Sequence, residues 1–141
     1  KALNDTHGHT AGDHFLRAIA GAVRSQMRAA DTAARYGGEE ISFILPRTTV
    51  VEAHAVAERA RREIAGLRVE EAGQLLSVTA SFGVASHPDG GAETAEDLVR
   101  LADRALYRAK RAGKNRVELY WADESGPQRA LIPPPIAVND R

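Results

Sequence analysis

Around a pair of glycines, residues 33–45 carry an alternation that few folds can accommodate. Side chains on a β-strand point to opposite faces in turn, so Ile41, Phe43 and Leu45 share one side while Glu40, Ser42 and Ile44 take the other. Gly37 and Gly38 precede that run and are free to adopt the positive φ of a tight two-residue turn. The pattern predicts a β-hairpin from Ala33 to Leu45, ended by Pro46, with the adjacent carboxylates of Glu39 and Glu40 at the turn exit.

The segments on either side follow other periods. From Ala11 to Ala30, Phe15, Leu16, Ile19, Ala20, Val23 and Met27 recur at the helical spacing. A second helix is predicted over 50–67, where Val51, Val56, Ala60, Ile64 and Leu67 fall near one stripe and Gly66 loosens the end. Val78, Ala80, Phe82 and Val84 alternate within a strand predicted over 75–86, closed by the turn Pro88-Asp89-Gly90-Gly91. Thr94 and Asp97 resemble a capping box with Asp in place of Glu, ahead of a stripe of Leu98, Leu101, Ala102, Ala105, Leu106 and Ala109. Gly113 is placed to stop that helix, and 116–121 reads as a final short strand. The order helix, hairpin, helix, strand, helix, strand defines an α+β domain over 1–121. Residues 122–141, with Pro127 and the run Pro133-Pro134-Pro135, have no period and read as a flexible tail or linker. No internal repeat is present.

The 141-residue length suits a single domain with a real core. The absence of cysteine excludes disulfide scaffolds, thiolate metal sites and cysteine nucleophiles, and is compatible with a reducing, cytoplasmic setting. Nineteen basic residues balance nineteen acidic ones, so nothing general attracts nucleic acid or an anionic membrane. Any anion site must be local. No run has the apolar length of a membrane span, and the first residues do not resemble a signal peptide, although a longer parent protein can still be membrane-attached.

Four stretches stand in register: Asn4-Asp5-Thr6-His7-Gly8-His9 with Gly12-Asp13, Arg28-Ala29-Ala30-Asp31, Gly37-Gly38-Glu39-Glu40, and 102–110 with Gly113-Lys114-Asn115. Over about residues 1–120 the chain thereby resembles the GGDEF family of diguanylate cyclases. The resemblance implies a nucleotidyl-cyclase-like (ferredoxin-like) antiparallel sheet flanked by helices. It also implies condensation of two GTP molecules into cyclic di-GMP with release of pyrophosphate, and a homodimer in which each domain presents one GTP to the other. Mg²⁺ or Mn²⁺ is the implied cofactor, because a hard divalent ion binds carboxylate and phosphate oxygens and lowers the pKa of a bound hydroxyl.

By that resemblance Glu39 is the metal ligand and proton acceptor, and Glu40 supports the metals or the attacking hydroxyl. Read without the other motifs, both are ordinary solvated hairpin acids. Guanine offers N1-H and an exocyclic amine as adjacent donors, which one carboxylate accepts in a plane. Asp13 matches the family position for this, with Asn4 as its partner. Asp13 also reads as an early-helix acid favoured by the dipole, and Asn4 as a turn former. Lys110 and Lys114 match positions that grip the triphosphate, and Lys110 equally suits a helix C-terminus. Arg28 and Asp31 fall where the family binds its product as an inhibitor; an Arg and Asp three apart at a helix end also form an ordinary surface ion pair. His7 and His9 are expected as loop residues, and His14, His54 and His87 as surface or packing histidines.

The chain departs from the family pattern in three ways. Ile41 stands where the family usually has Phe, which implies repacking on the buried face. Lys114 stands where Arg is frequent, giving a point charge in place of a bidentate fork. The family's first strand, with a metal-binding aspartate, is expected to precede Lys1, so the polypeptide is read as truncated and poorly active by itself. An upstream sensory domain is the implied neighbour. The rival reading is a degenerate domain that senses cyclic di-GMP through Arg28 and Asp31.

Overall fold

Phe15 and Val23, two turns apart and both buried, mark the inner face of the first helix. The structure, a computed structural model, describes residues 2–71, 73–88 and 90–121, with the backbone alone for residues 2–11 and Glu71. Helix α1 spans Ala2–Ser25, where the sequence predicts 11–30. It continues through Gly8 and Gly12, so His7 and His9 are helical, not loop residues. Each glycine costs about 1 kcal/mol relative to alanine, which does not break a hydrogen-bond ladder that no proline interrupts. At the other end Ser25 Oγ donates to the Ala22 carbonyl at 2.7 Å. The Gln26 and Met27 amides turn back to the Val23 and Arg24 carbonyls at 3.0 and 3.2 Å, a tightened closure that stops the helix.

Strands β1 (Thr32–Gly37) and β2 (Glu40–Ile44) form the predicted hairpin, pairing from Thr32 opposite Ile44 to Gly37 opposite Glu40. The register shifts between Arg35 and Gly37, so the first strand uses one extra residue before the turn. The turn is therefore Gly38-Glu39, not Gly37-Gly38. Gly38 has φ 52°, whereas Gly37 ends β1. Ile41, Phe43 and Leu45 are half-buried while Glu40, Ser42 and Ile44 are exposed, as the alternation requires.

Helix α2 (Val50–Gly66) opens with a capping box: Thr49 accepts from the Glu52 amide while the Glu52 carboxylate takes the Thr49 amide at 2.8 Å. Its buried face is Val50, Ala53, Ala57, Ala60 and Ile64. Beyond it, β3 (Val69–Glu71) and β4 (Gln74–Leu76) make a small antiparallel pair that the apolar pattern does not announce. The strand predicted over 75–86 is thus divided, its second part being β5 (Phe82–Val84). Residues 77–81 join no ladder among the described residues. Val78, Ala80 and Phe82 nonetheless share a side, packed against a cluster of Ala22, Val23 and Ile64.

Helix α3 (Ala95–Arg111) starts at Thr94, whose hydroxyl accepts from the Asp97 amide at 3.1 Å. It buries Leu101, Ala105 and Ala109. Strand β6 (Val117–Leu119) then pairs parallel with β5, because a helical crossover returns the chain to the end from which β5 set out. The class is mixed α+β. That is the class expected, and the described strands pair as three two-stranded ladders, two antiparallel and one parallel. Phe43 meets Phe82 with ring centroids 6.2 Å apart, joining the hairpin to β5. No helix of the described residues is long and apolar enough to cross a membrane. The tail expected at 122–141 lies outside the described residues.

Candidate active site

The acidic turn is fixed from its own first strand, where Arg35 Nε donates to the Gly38 carbonyl at 2.8 Å. That bond holds Glu39 in the turn and Glu40 at the start of β2. Across the gap, Lys110 in the last turn of α3 donates from Nζ to Glu40 Oε1 at 3.3 Å. Both side chains are half-exposed, at 50% and 49%. The fold therefore brings together a hairpin acid and a helix-end cation that the sequence singles out separately.

Lys114 stands just past α3 on a loop of unusual backbone. Gly113, Lys114 and Asn115 all have positive φ, at 108°, 60° and 43°. The Lys114 amide bonds the Ala109 carbonyl at 3.0 Å, and Arg116 Nε reaches the Lys114 carbonyl at 3.4 Å. Asn115 Oδ1 accepts from Arg61 Nη1 at 2.8 Å, a link between the loop and α2 that sequence reasoning misses. The one signal for it is the tripeptide Gly-Lys-Asn, since Gly and Asn are the residues that most readily accept a left-handed backbone.

Asp13 lies on the exposed side of α1. Asn4 is in the same helix with its side chain outside the description; the two positions are about 2.5 turns apart, so α1 does not by itself set them side by side. Arg28 and Asp31 are brought together, but in a tight turn after α1, because the helix closes at Ser25. The Asp31 carboxylate accepts the Arg28 amide at 2.8 Å and its guanidinium at 3.3 and 3.4 Å. Arg28 also donates to the Thr48 hydroxyl, and to the Pro46 carbonyl at 3.5 Å. The Asp31 side chain is 1% exposed and that of Arg28 is 56% exposed. The Arg28 amide, ahead of the opposing effect of burial, holds the Asp31 carboxyl below its ordinary value, with the Arg28 side chain adding to it. A cleft of about 640 Å³ between α1 and the hairpin is lined by Leu16, Val23, Met27, Ile41, Arg28 and Asp31 among others. It borders the Arg28 turn and not Glu39, Glu40 or Lys110.

Among the described residues no three His, Cys, Asp or Glu side chains cluster as metal ligands. Mg²⁺ needs only one or two carboxylates when phosphates and waters complete its shell, so the donor set of Glu39 and Glu40 fits such an ion. Two histidines are engaged away from the acidic turn: the His87 ring bonds the Ala92 carbonyl at 2.8 Å, and burial of His54, against the opposing charge of Glu58, lowers its pKa.

Fold and site describe an α+β domain whose acidic hairpin turn faces a lysine at the end of a helix. The sequence profile of the GGDEF family, described as "Diguanylate cyclase, GGDEF domain", matches residues 1–116, and the chain belongs to that family. Diguanylate cyclase A of Treponema denticola is 45% identical over 119 residues, covering 84% of this chain and 32% of that protein. Diguanylate cyclase VdcA of Vibrio cholerae is 46% identical over 120 residues, covering 83% of this chain and 35% of that protein. The chain thus spans about a third of these relatives' length. Among solved structures, the GGDEF domain of DgcB from Caulobacter crescentus, in complex with c-di-GMP, superposes with a TM-score of 0.79 at 33% identity, covering 84% of this chain and 70% of that one. Diguanylate cyclase SiaD of Pseudomonas aeruginosa, solved with its activator SiaC, gives a TM-score of 0.78 at 42% identity, covering 84% of this chain and 45% of that one.

Proposed function

We propose that the chain is the catalytic domain of a diguanylate cyclase, which condenses two GTP molecules into cyclic di-GMP and pyrophosphate. The observation that carries this reading is the approach of Lys110 to Glu40, which sets a cation for polyphosphate beside carboxylates for a divalent ion. In each half-reaction the 3′-oxygen of one GTP bonds the α-phosphorus of the other as the bond to the β-phosphate oxygen breaks. Glu39 takes the hydroxyl proton. Lys110 and Lys114 hold the triphosphate, and Asp13 accepts from the guanine edge, with Asn4 assigned beside it by the family motif alone. Mg²⁺ or Mn²⁺ on Glu39 and Glu40, when bound, supplies charge neutralisation and a more acidic hydroxyl.

Two such domains act as a homodimer, each bringing one nucleotide. Residues 1–121 are the domain and 122–141 a linker or tail, attached in a longer, cytoplasmically facing protein to an upstream sensory unit. Arg28 and Asp31 bind the product and inhibit. The similar DgcB domain was solved in complex with c-di-GMP, which supports binding of the product by this domain.

The cleft beside the Arg28 turn favours one second reading, a domain that binds cyclic di-GMP without making it. Incubation of the full protein carrying this chain with GTP and Mg²⁺ separates the two. Cyclic di-GMP and pyrophosphate are expected, and both are lost in Glu39→Ala. Undiminished turnover in that variant removes Glu39 from the chemistry, whereas tight dinucleotide binding with no turnover in the wild type establishes the sensor.

A further inference from the structure

The loop that carries Lys114 holds three successive positive φ angles, two of them at residues with a β-carbon. Such a backbone persists only where its surroundings impose it. Besides the bonds from the Lys114 amide to Ala109 and from Arg116 to the Lys114 carbonyl, one constraint comes from another element. Arg61 of α2 spends Nε and Nη2 on the Glu58 carboxylate, at 3.1 Å each to its nearer oxygens, which leaves Nη1 pointing at Asn115 Oδ1 2.8 Å away. The Arg61 side chain is 14% exposed and that of Glu58 22%, so the bracket is shielded from water. Glu58 orients Arg61, Arg61 holds Asn115, and Asn115 fixes the turn on which its neighbour Lys114 stands.

We propose that Arg61 and Asn115 are positioning residues, which hold the Gly113-Lys114-Asn115 loop so that Lys114 meets the polyphosphate of the nucleotide. The inference rests on the nucleotide reading given above. A lysine presents a single charge with no fork to fix its direction, so its backbone must supply the aim. The planar Arg61 fork can serve Glu58 and Asn115 together, which a lysine in its place cannot do.

The test is a binding comparison in the full protein with Mg²⁺, using GMP and the non-hydrolysable α,β-methylene analogue of GTP. Asn115→Gly removes the acceptor without placing a β-carbon in the left-handed region. It is expected to weaken the triphosphate analogue about tenfold, the scale of one charge-assisted contact, and to leave GMP within about twofold. Arg61→Lys, which keeps the charge, should do the same. In a Lys114→Ala background, Asn115→Gly should have no further effect, because its action runs through that lysine. Equal binding of the analogue by wild type and Asn115→Gly overturns the inference, as does an undiminished Asn115 effect after Lys114 is removed. A wild-type protein that binds neither nucleotide brings down the functional reading itself, and this inference with it.

Discussion

Lys110 and Glu40 are 70 positions apart in sequence and meet at 3.3 Å, yet the bond between them is weak by nature. Exposed ion pairs contribute about 0–1 kcal/mol, so either partner is readily given up to a competing ion. Lys110→Ala should shift unfolding by no more than about 0.5 kcal/mol while clearly weakening GTP binding; thermal denaturation beside a nucleotide titration checks both. Asp31 makes a pH prediction. Its folded pKa is depressed, by the Arg28 amide first, so the turn's contribution is fully present above the ordinary value of 3.8 and is lost as pH falls through the lower folded value. The Arg28 amide resonance should therefore titrate with a midpoint below 3.8; a midpoint at or above it would show that the hydrogen bond does not hold in solution. The place of Glu39 and Glu40 at the hairpin turn, that of Lys110 at a helix end, and the pairing of Arg28 with Asp31 were legible because each rests on a short local pattern. The Arg61 to Asn115 bond was not, since it joins residues 54 apart and the acid visible three residues before Arg61, Glu58, says nothing of a third partner.

At the level of helices and strands, legibility followed how much of the instruction is local. Helices α2 and α3 carry their stripes and N-caps in their own residues, and they fall within one or two residues of the predicted bounds. The hairpin was visible, but its bulge moved the turn by one residue. The β3 and β4 pair was not visible, because Val69–Glu71 is mostly charged and shows no apolar alternation. Gly83 shows a constraint of another kind. A β-carbon there would stand 2.2 Å from the Ala102 carbonyl oxygen and 2.3 Å from the Leu106 amide nitrogen, so β5 lies directly on the backbone of α3. Neither backbone group can swing aside. Gly83→Ala is expected to destabilise by about 3 kcal/mol through overpacking, read as a lower midpoint in chemical denaturation. A wild-type midpoint would mean that the strand and helix are less closely apposed. Thr49→Ala should cost about 1 kcal/mol through loss of the capping box, measured in the same way.

For the molecule as a whole, the centre is the cluster of Ala22, Val23 and Ile64, into which Ile19, Phe43, Leu67, Val78, Ala80 and Phe82 pack from four directions of the chain. Ile64 is 1% exposed, and Ile64→Ala should cost about 2–5 kcal/mol, enough to unfold a marginal domain; denaturant titration against Val99→Ala, at an exposed site, gives the contrast. The α+β class and most of this core could be read from periodicity, since each contributing segment shows its apolar side. How the strands pair could not, because pairing is a relation between segments whose separate patterns are alike. The apolar centre and the Lys110 to Glu40 contact also differ in their response to solutes. A strongly hydrated salt such as ammonium sulfate tightens apolar burial, yet it screens charges across an open gap, with a screening length of only about 3 Å at an ionic strength of 1 M. Salting the solution should thus harden the interior while letting the acidic tip drift from its lysine, a divergence that backbone amide exchange can follow site by site.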